Sequence, residues 1–400
     1  MKKKILLAIV SSAVTLVVAF LVAEIYFRYK SGPVPPPDSG FELYTRDGRK
    51  VSTYVGSLKL SLDAFTVYSN FPSQHTQTFN INSAGLRAAE GVERDPLPKI
   101  AFLGGSAAFG FGTTDPETIP SLMEASLKSH RVLNAGVIGF FSGQELTHLV
   151  TRVIDYRPAV VVAYDGWNDL FGTVYIPERN ESELGFNQIF FAVEDQLAEK
   201  HQTDHSARKS FSRFIGLASS KSRVLDRLDR ALESHRAASQ PAQRPADRRL
   251  LDLVVENYVE NLRKMSLFSR AAGAEFIVVL QPELGQKSYR TPEEEQLLRN
   301  GFGTTIRYDQ FPDLYREFLG KAKALLTRDG LEWIDINDSP AFQNSRDCLF
   351  TDVVHTNRRG NEIIAELILP RLQTLLRSKN NALSEPRSPS GSERKHHNRK

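Results

Sequence analysis

Near the carboxyl end of the chain, in LFTDVVHTNRRGNEIIAEL, Asp352 and His355 stand three residues apart. A carboxylate so placed can hold an imidazole in one tautomer and stabilise it once protonated, which makes the imidazole a general base. A base of this kind serves a hydroxyl nucleophile, and KIAFLGGSAAFGFG, far upstream, supplies one. There Ser106 follows an apolar run and two glycines, the pattern of a strand ending in a tight turn. The chemistry these three residues could perform together is attack on an electrophilic carbonyl through a covalent serine intermediate.

Such a site needs a scaffold that brings distant residues to one edge. From Lys99 onward, short β-branched or aromatic runs end in Gly, Pro, Asn or Asp: KIAFLG, RVLNAGV, AVVVAYDG, EFIVVLQPE and LEWIDIND. Helical patterns separate them. The clearest spans 250–272, with Leu251, Val254, Tyr258, Leu262 and Met265 on one face and Gly273 at its end. Apolar strands alternating with helices predict a parallel sheet covered on both faces, with ligands at the carboxyl ends of its strands. Ser106, the stretch after Val137 and GWND all fall directly after predicted strands, on that one edge.

Four short blocks, in order, resemble the SGNH (GDSL-like) hydrolase family over roughly residues 99–375: GGSAAFG, NAGVIGFFSG, GWND and DVVH. The resemblance implies a flavodoxin-like three-layer α/β/α fold with a mainly parallel five-stranded sheet. It implies Ser106 as nucleophile, His355 as base and Asp352 as its orienting acid. The oxyanion hole would be the backbone N–H groups of Ser106 and Gly139 and the side-chain amide of Asn168. It implies a serine esterase that uses neither a metal nor an organic cofactor. The same acyl-enzyme could instead pass its acyl group to a glycan hydroxyl, and a non-catalytic scaffold of a polysaccharide assembly is the other alternative. One position departs from the family: Gly105 stands where its short name has Asp, which bears on activity level and substrate fit and leaves the three catalytic residues in place. A conventional α/β-hydrolase is disfavoured, because Ala108 breaks G-x-S-x-G.

The flanks indicate where the domain works. Lys2, Lys3 and Lys4 precede nineteen uncharged residues, Ile5 to Ala23, followed by Tyr26, Phe27 and Tyr29. This run is long enough to cross a bilayer as a helix and is expected to be an uncleaved single-pass anchor over 1–30, with the bulk of the chain extracytoplasmic. Residues 31–40, SGPVPPPDSG, read as a stiff spacer, and 41–98 as an addition packed on the main domain of 99–378. Within that domain, 172–249 interrupts the alternation as a helical insertion, a cap or a docking arm for a protein partner. Residues 379–400 read as a disordered basic tail.

The net charge of +4 invites a nucleic-acid reading, but residues 1–30 and 379–400 each carry a net +4, leaving the body acidic. No nucleic-acid partner is expected. His201 and His205, with Asp204 between them, have helical metal spacing but read as a solvated face. Cys348 is the only cysteine, so no internal disulfide can form. The expected partners are therefore the membrane and a carbohydrate or lipid acyl ester.

Overall fold

The computed structural model describes residues 15, 20–26, 41–44, 58–92, 94–174, 248–301 and 308–384. Most of the Ile5–Ala23 run, the 31–40 spacer and residues 175–247 of the expected insertion, with His201, Asp204 and His205, lie outside them. Among the described residues no helix is long and apolar enough to cross a membrane.

Five strands are labelled here β1 (Lys99–Gly104), β2 (Arg131–Asn134), β3 (Val160–Asp165), β4 (Glu275–Leu280) and β5 (Trp333–Asp335). They form one sheet in the order β5-β4-β3-β1-β2, every pair parallel. This is the flavodoxin-like order, with its reversal beside β1. Every residue of β3 is buried, which is why it reads as an unbroken apolar run without alternation.

From Ser106 onward the described residues form nine α-helices: α1 (Ser106–Phe109), α2 (Ile119–Leu127), α3 (Ser142–Thr151), α4 (Trp167–Val174), α5 (Leu251–Ala271), α6 (Pro292–Asn300), α7 (Phe311–Arg328), α8 (Pro340–Gln343) and α9 (Arg358–Ser384). Helices α3, α5 and α7 pack together, while α2 packs with α9. Right-handed crossovers from this strand order place the two groups on opposite faces of the sheet. Helix α5 buries Val254, Tyr258, Leu262 and Met265, one stripe at three- and four-residue spacing. Helix α9 runs through Ser384, so the first residues of the tail expected from 379 are helical. Lys379 Nζ donates to the carbonyls of Ala159 (3.2 Å) and Gly273 (2.5 Å), tying this last stretch to the sheet's amino-terminal edge.

The segment before the sheet carries its own strands: Phe41–Tyr44, Leu58–Asp63 and Val67–Asn70 in one sheet, and a Gln74–His75/Asn80–Ile81 hairpin. Leu58, Leu60, Tyr68, Phe79 and Ile81 form a second apolar cluster with Phe109, Val137 and Phe140, directly behind Ser106 and the loop after β2.

Arg87 fastens this segment. It is 1 % exposed, donates Nε to Asp115 (2.8 Å), and spreads its remaining donors over four carbonyls. Two of these are Phe109 (2.9 Å) and Gly110 (2.8 Å), at the end of the helix that Ser106 begins. Arg87→Ala removes the donor to Asp115 Oδ1 and one donor from each of those carbonyls, and takes away the buried charge that Asp115 faces; it is expected to cost about 3–5 kcal/mol in urea unfolding. Lysine, a point charge without the planar fork, restores only part of it.

Candidate active site

Strand β1 delivers Ser106 to the carboxyl edge of the sheet, and the loop between α8 and α9 delivers Asp352 and His355. Within that loop Thr351 N–H donates to His355 O (2.8 Å) and Leu284 N–H to Val353 O (3.0 Å). A buried ion pair braces its start: Lys287 Nζ meets Glu294 at 2.7 Å and Asp347 O at 3.0 Å, while Glu294 Oε1 accepts from Leu349 N–H at 2.8 Å.

The structure brings Ser106, His355 and Asp352 into one line. Ser106 Oγ lies 2.7 Å from His355 Nε2, and His355 Nδ1 lies 2.6 Å from Asp352 Oδ2. With Asp352 accepting from Nδ1–H, Nε2 presents its lone pair and the serine hydroxyl donates to it. The other oxygen, Oδ1, accepts from the backbone N–H groups of Val354 (2.8 Å) and His355 (2.7 Å). Burial pushes the Asp352 carboxyl up, but the hydrogen bonds and charge of the His355 ring, with those two backbone donors, hold it below the usual carboxylate value. His355 is buried, and its ring packs beside Phe111 at 5.0 Å between centroids, which shields the imidazole from water.

The predicted oxyanion donors follow the next two strands. Gly139 turns the loop after β2 with φ of 75°, a conformation that favours glycine. Its N–H and that of Ser106 donate to no acceptor among the described residues. Asn168, in the first turn of α4 after β3, donates one amide hydrogen to Phe140 O at 2.7 Å, leaving the other to point elsewhere. The five residues singled out in the sequence thus all sit at the ends of β1, β2 and β3 or in the loop before α9.

The contacts of three further residues were not legible in the sequence, although Gly105 stood out there as a departure. The first is Gly105, where a Cβ would lie 2.5 Å from Asn168 Nδ2 and 2.9 Å from Phe140 O. The departure from Asp at this position is therefore a fitted contact. The second is Phe111 against His355, signalled only by an aromatic residue between glycines. The third is Asp169, whose carboxylate accepts Ser142 N–H (3.2 Å) and Ser142 Oγ–H (2.5 Å), tying α4 to the end of the Gly139 loop. It neighbours Asn168 in GWND, so adjacency was its only signal.

The chain matches no protein-family model and no curated protein. Solved structures similar to it include an acetyl xylan esterase (14 % identity, 68 % of this chain and 99 % of that one, TM-score 0.38) and the lipase/acylhydrolase from Enterococcus faecalis (14 %, 70 % and 96 %, TM-score 0.37). A GDSL-like lipase from Bacteroides thetaiotaomicron VPI-5482 is a third (13 %, 72 % and 96 %, TM-score 0.37). At TM-scores below 0.5 these likenesses carry no weight for the chemistry, which rests on the distances above.

Proposed function

We propose that this protein is a serine esterase of the SGNH type that cleaves carboxylic esters through a Ser106 acyl-enzyme. The observation that carries the reading is the unbroken path Ser106 Oγ–His355 Nε2, 2.7 Å, and His355 Nδ1–Asp352 Oδ2, 2.6 Å, beside two unengaged backbone N–H groups. Ser106 Oγ attacks the ester carbon as its proton passes to Nε2. The carbonyl oxygen becomes an oxyanion, and the N–H groups of Ser106 and Gly139 with the Asn168 amide receive it. Collapse breaks the bond to the alcohol oxygen, which leaves with the proton from His355. Water then attacks the acyl-enzyme as His355 takes its proton, and the carboxylic acid is released as His355 returns that proton to Ser106 Oγ.

Acyl esters of carbohydrates or lipids are the substrate class of this reading, with acyl transfer to a glycan hydroxyl as the other fate of the same intermediate. A non-catalytic scaffold has no use for a base and an unengaged set of donors. Intact-protein mass spectrometry after mixing with p-nitrophenyl acetate tests the reading: one acetyl group on Ser106, lost in Ser106→Ala, supports it. Nitrophenol release without Ser106 acetylation in trapping experiments contradicts it. Repeating the reaction with an oligosaccharide acceptor separates hydrolysis from transfer.

The charge-free run Ile5–Ala23 supports placing the domain outside the cytoplasm on a membrane tether. The full chain is expected to stay in the membrane fraction after a high-salt wash. Recovery as a soluble protein beginning near residue 24 would show cleavage instead.

A further inference from the structure

Behind the Gly139 loop, three carboxyl groups meet without a cation. Glu145 of α3 is 0 % exposed, and neither of its oxygens finds a hydrogen-bond donor. Asp165, at the end of β3, has Oδ1 bonded to Tyr258 O–H of α5 at 2.6 Å, while its Oδ2 also finds no donor. Asp169 of α4 holds the backbone and hydroxyl of Ser142, and Asn261 of α5 donates to that same hydroxyl at 3.0 Å. No lysine or arginine among the described residues pairs with any of the three. A buried carboxylate without a donor costs several kcal/mol, so two facing carboxyls with three orphaned oxygens require a proton between them.

We infer that Glu145 is a positioning residue, a neutral carboxylic acid that donates to Asp165 and thereby seats the Gly139–Ser142 loop against the helix carrying Asn168. Ser142, which opens α3, is held by Asp169, the residue next to Asn168, so the N–H of Gly139 and the amide of Asn168 share one mounting. The groups facing Glu145 are Asp165 from the sheet, Asp169 from α4 and, through Asp165, Tyr258 from α5; none can neutralise a second negative charge. Burial, then the charges of Asp165 and Asp169, push the Glu145 carboxyl well above its usual range. Burial raises Asp165 and Asp169 as well, although bonds from their donors oppose it. A raised acid contributes stability that is complete below its unfolded value, about 4.3, and is lost as pH rises through the folded one. The expected signature is therefore alkaline: ionised Glu145 repels Asp165 and Asp169, and α3 parts from α4.

The role in catalysis rests on the esterase reading, but the shared proton does not, and the test separates them. Full-length protein and Glu145→Gln are compared from pH 5 to 9 by thermal unfolding, by amide-exchange protection of residues 136–145, and by kcat on p-nitrophenyl acetate. Gln stays neutral and keeps a donor for Asp165. In the unsubstituted protein Tm and protection are expected to fall with rising pH, with kcat dropping roughly tenfold per pH unit on its alkaline limb. In Glu145→Gln all three should depend on pH less steeply, keeping only what Asp165 and Asp169 contribute. Identical Tm and protection profiles for the two proteins would overturn the shared proton. A moved Tm profile with an unmoved alkaline limb of kcat would overturn the positioning role. The expected Tm and protection changes in a protein with no ester turnover would support the shared proton while removing the esterase reading.

Discussion

Alanine in place of His355 is expected to lower kcat on a simple ester by roughly four to six orders of magnitude, with the fold retained. The reason is geometric. Nε2 is the one base within hydrogen-bond reach of Ser106 Oγ among the described residues, at 2.7 Å, and without it the hydroxyl keeps its proton through the attack. Asp352 survives the substitution well, because Oδ1 still accepts from the backbone N–H of Val354 and from that of residue 355. The loss should therefore appear in kcat far more than in KM. Circular dichroism and urea unfolding check that the variant is folded. A folded variant with undiminished kcat would remove His355 from the mechanism.

The second large effect is expected at Gly105. Its Cβ position lies 2.5 Å from Asn168 Nδ2 and 2.9 Å from Phe140 O, so the smallest possible side chain falls on the hydrogen bond that aims the Asn168 amide. Gly105→Ala should displace that amide and lower kcat by about a hundredfold to a thousandfold, the usual worth of one oxyanion donor. Asn168→Ala should cost a similar amount. The double variant should be little worse than either, because both remove the same donor. Full additivity in steady-state kinetics would mean that Gly105 acts on something other than Asn168.

Much of the scaffold was legible because buried parallel strands announce themselves as continuous apolar runs. KIAFLG coincides with β1, and the helix expected over 250–272 is α5, Leu251–Ala271. Strand ends were less legible where a side chain turns the backbone. RVLNAGV stops at Asn134, whose amide donates to Phe109 O (3.1 Å) while its Oδ1 accepts Gly136 N–H (3.1 Å). LEWIDIND stops at Asp335, which caps the turn by accepting from Asn337 N–H at 2.9 Å. The residues in line at the site were legible because each stands at a strand end or in one short loop. Those that hold them were not. Nothing in GLRA marks Arg87 as buried, and only the fold wraps the 109–115 stretch and Thr78 O around it. Glu145 reads as a first-turn helix acid, and its burial among carboxyls exists only once β3, α3 and α4 are packed.

The most direct test of the central claim is labelling of the purified protein with a fluorophosphonate probe, beside Ser106→Ala and His355→Ala. An activated serine predicts one equivalent of label on Ser106, absent from Ser106→Ala and slowed by orders of magnitude in His355→Ala. A folded protein that takes up no label, or carries it on another residue, would contradict the assignment of Ser106 as the nucleophile.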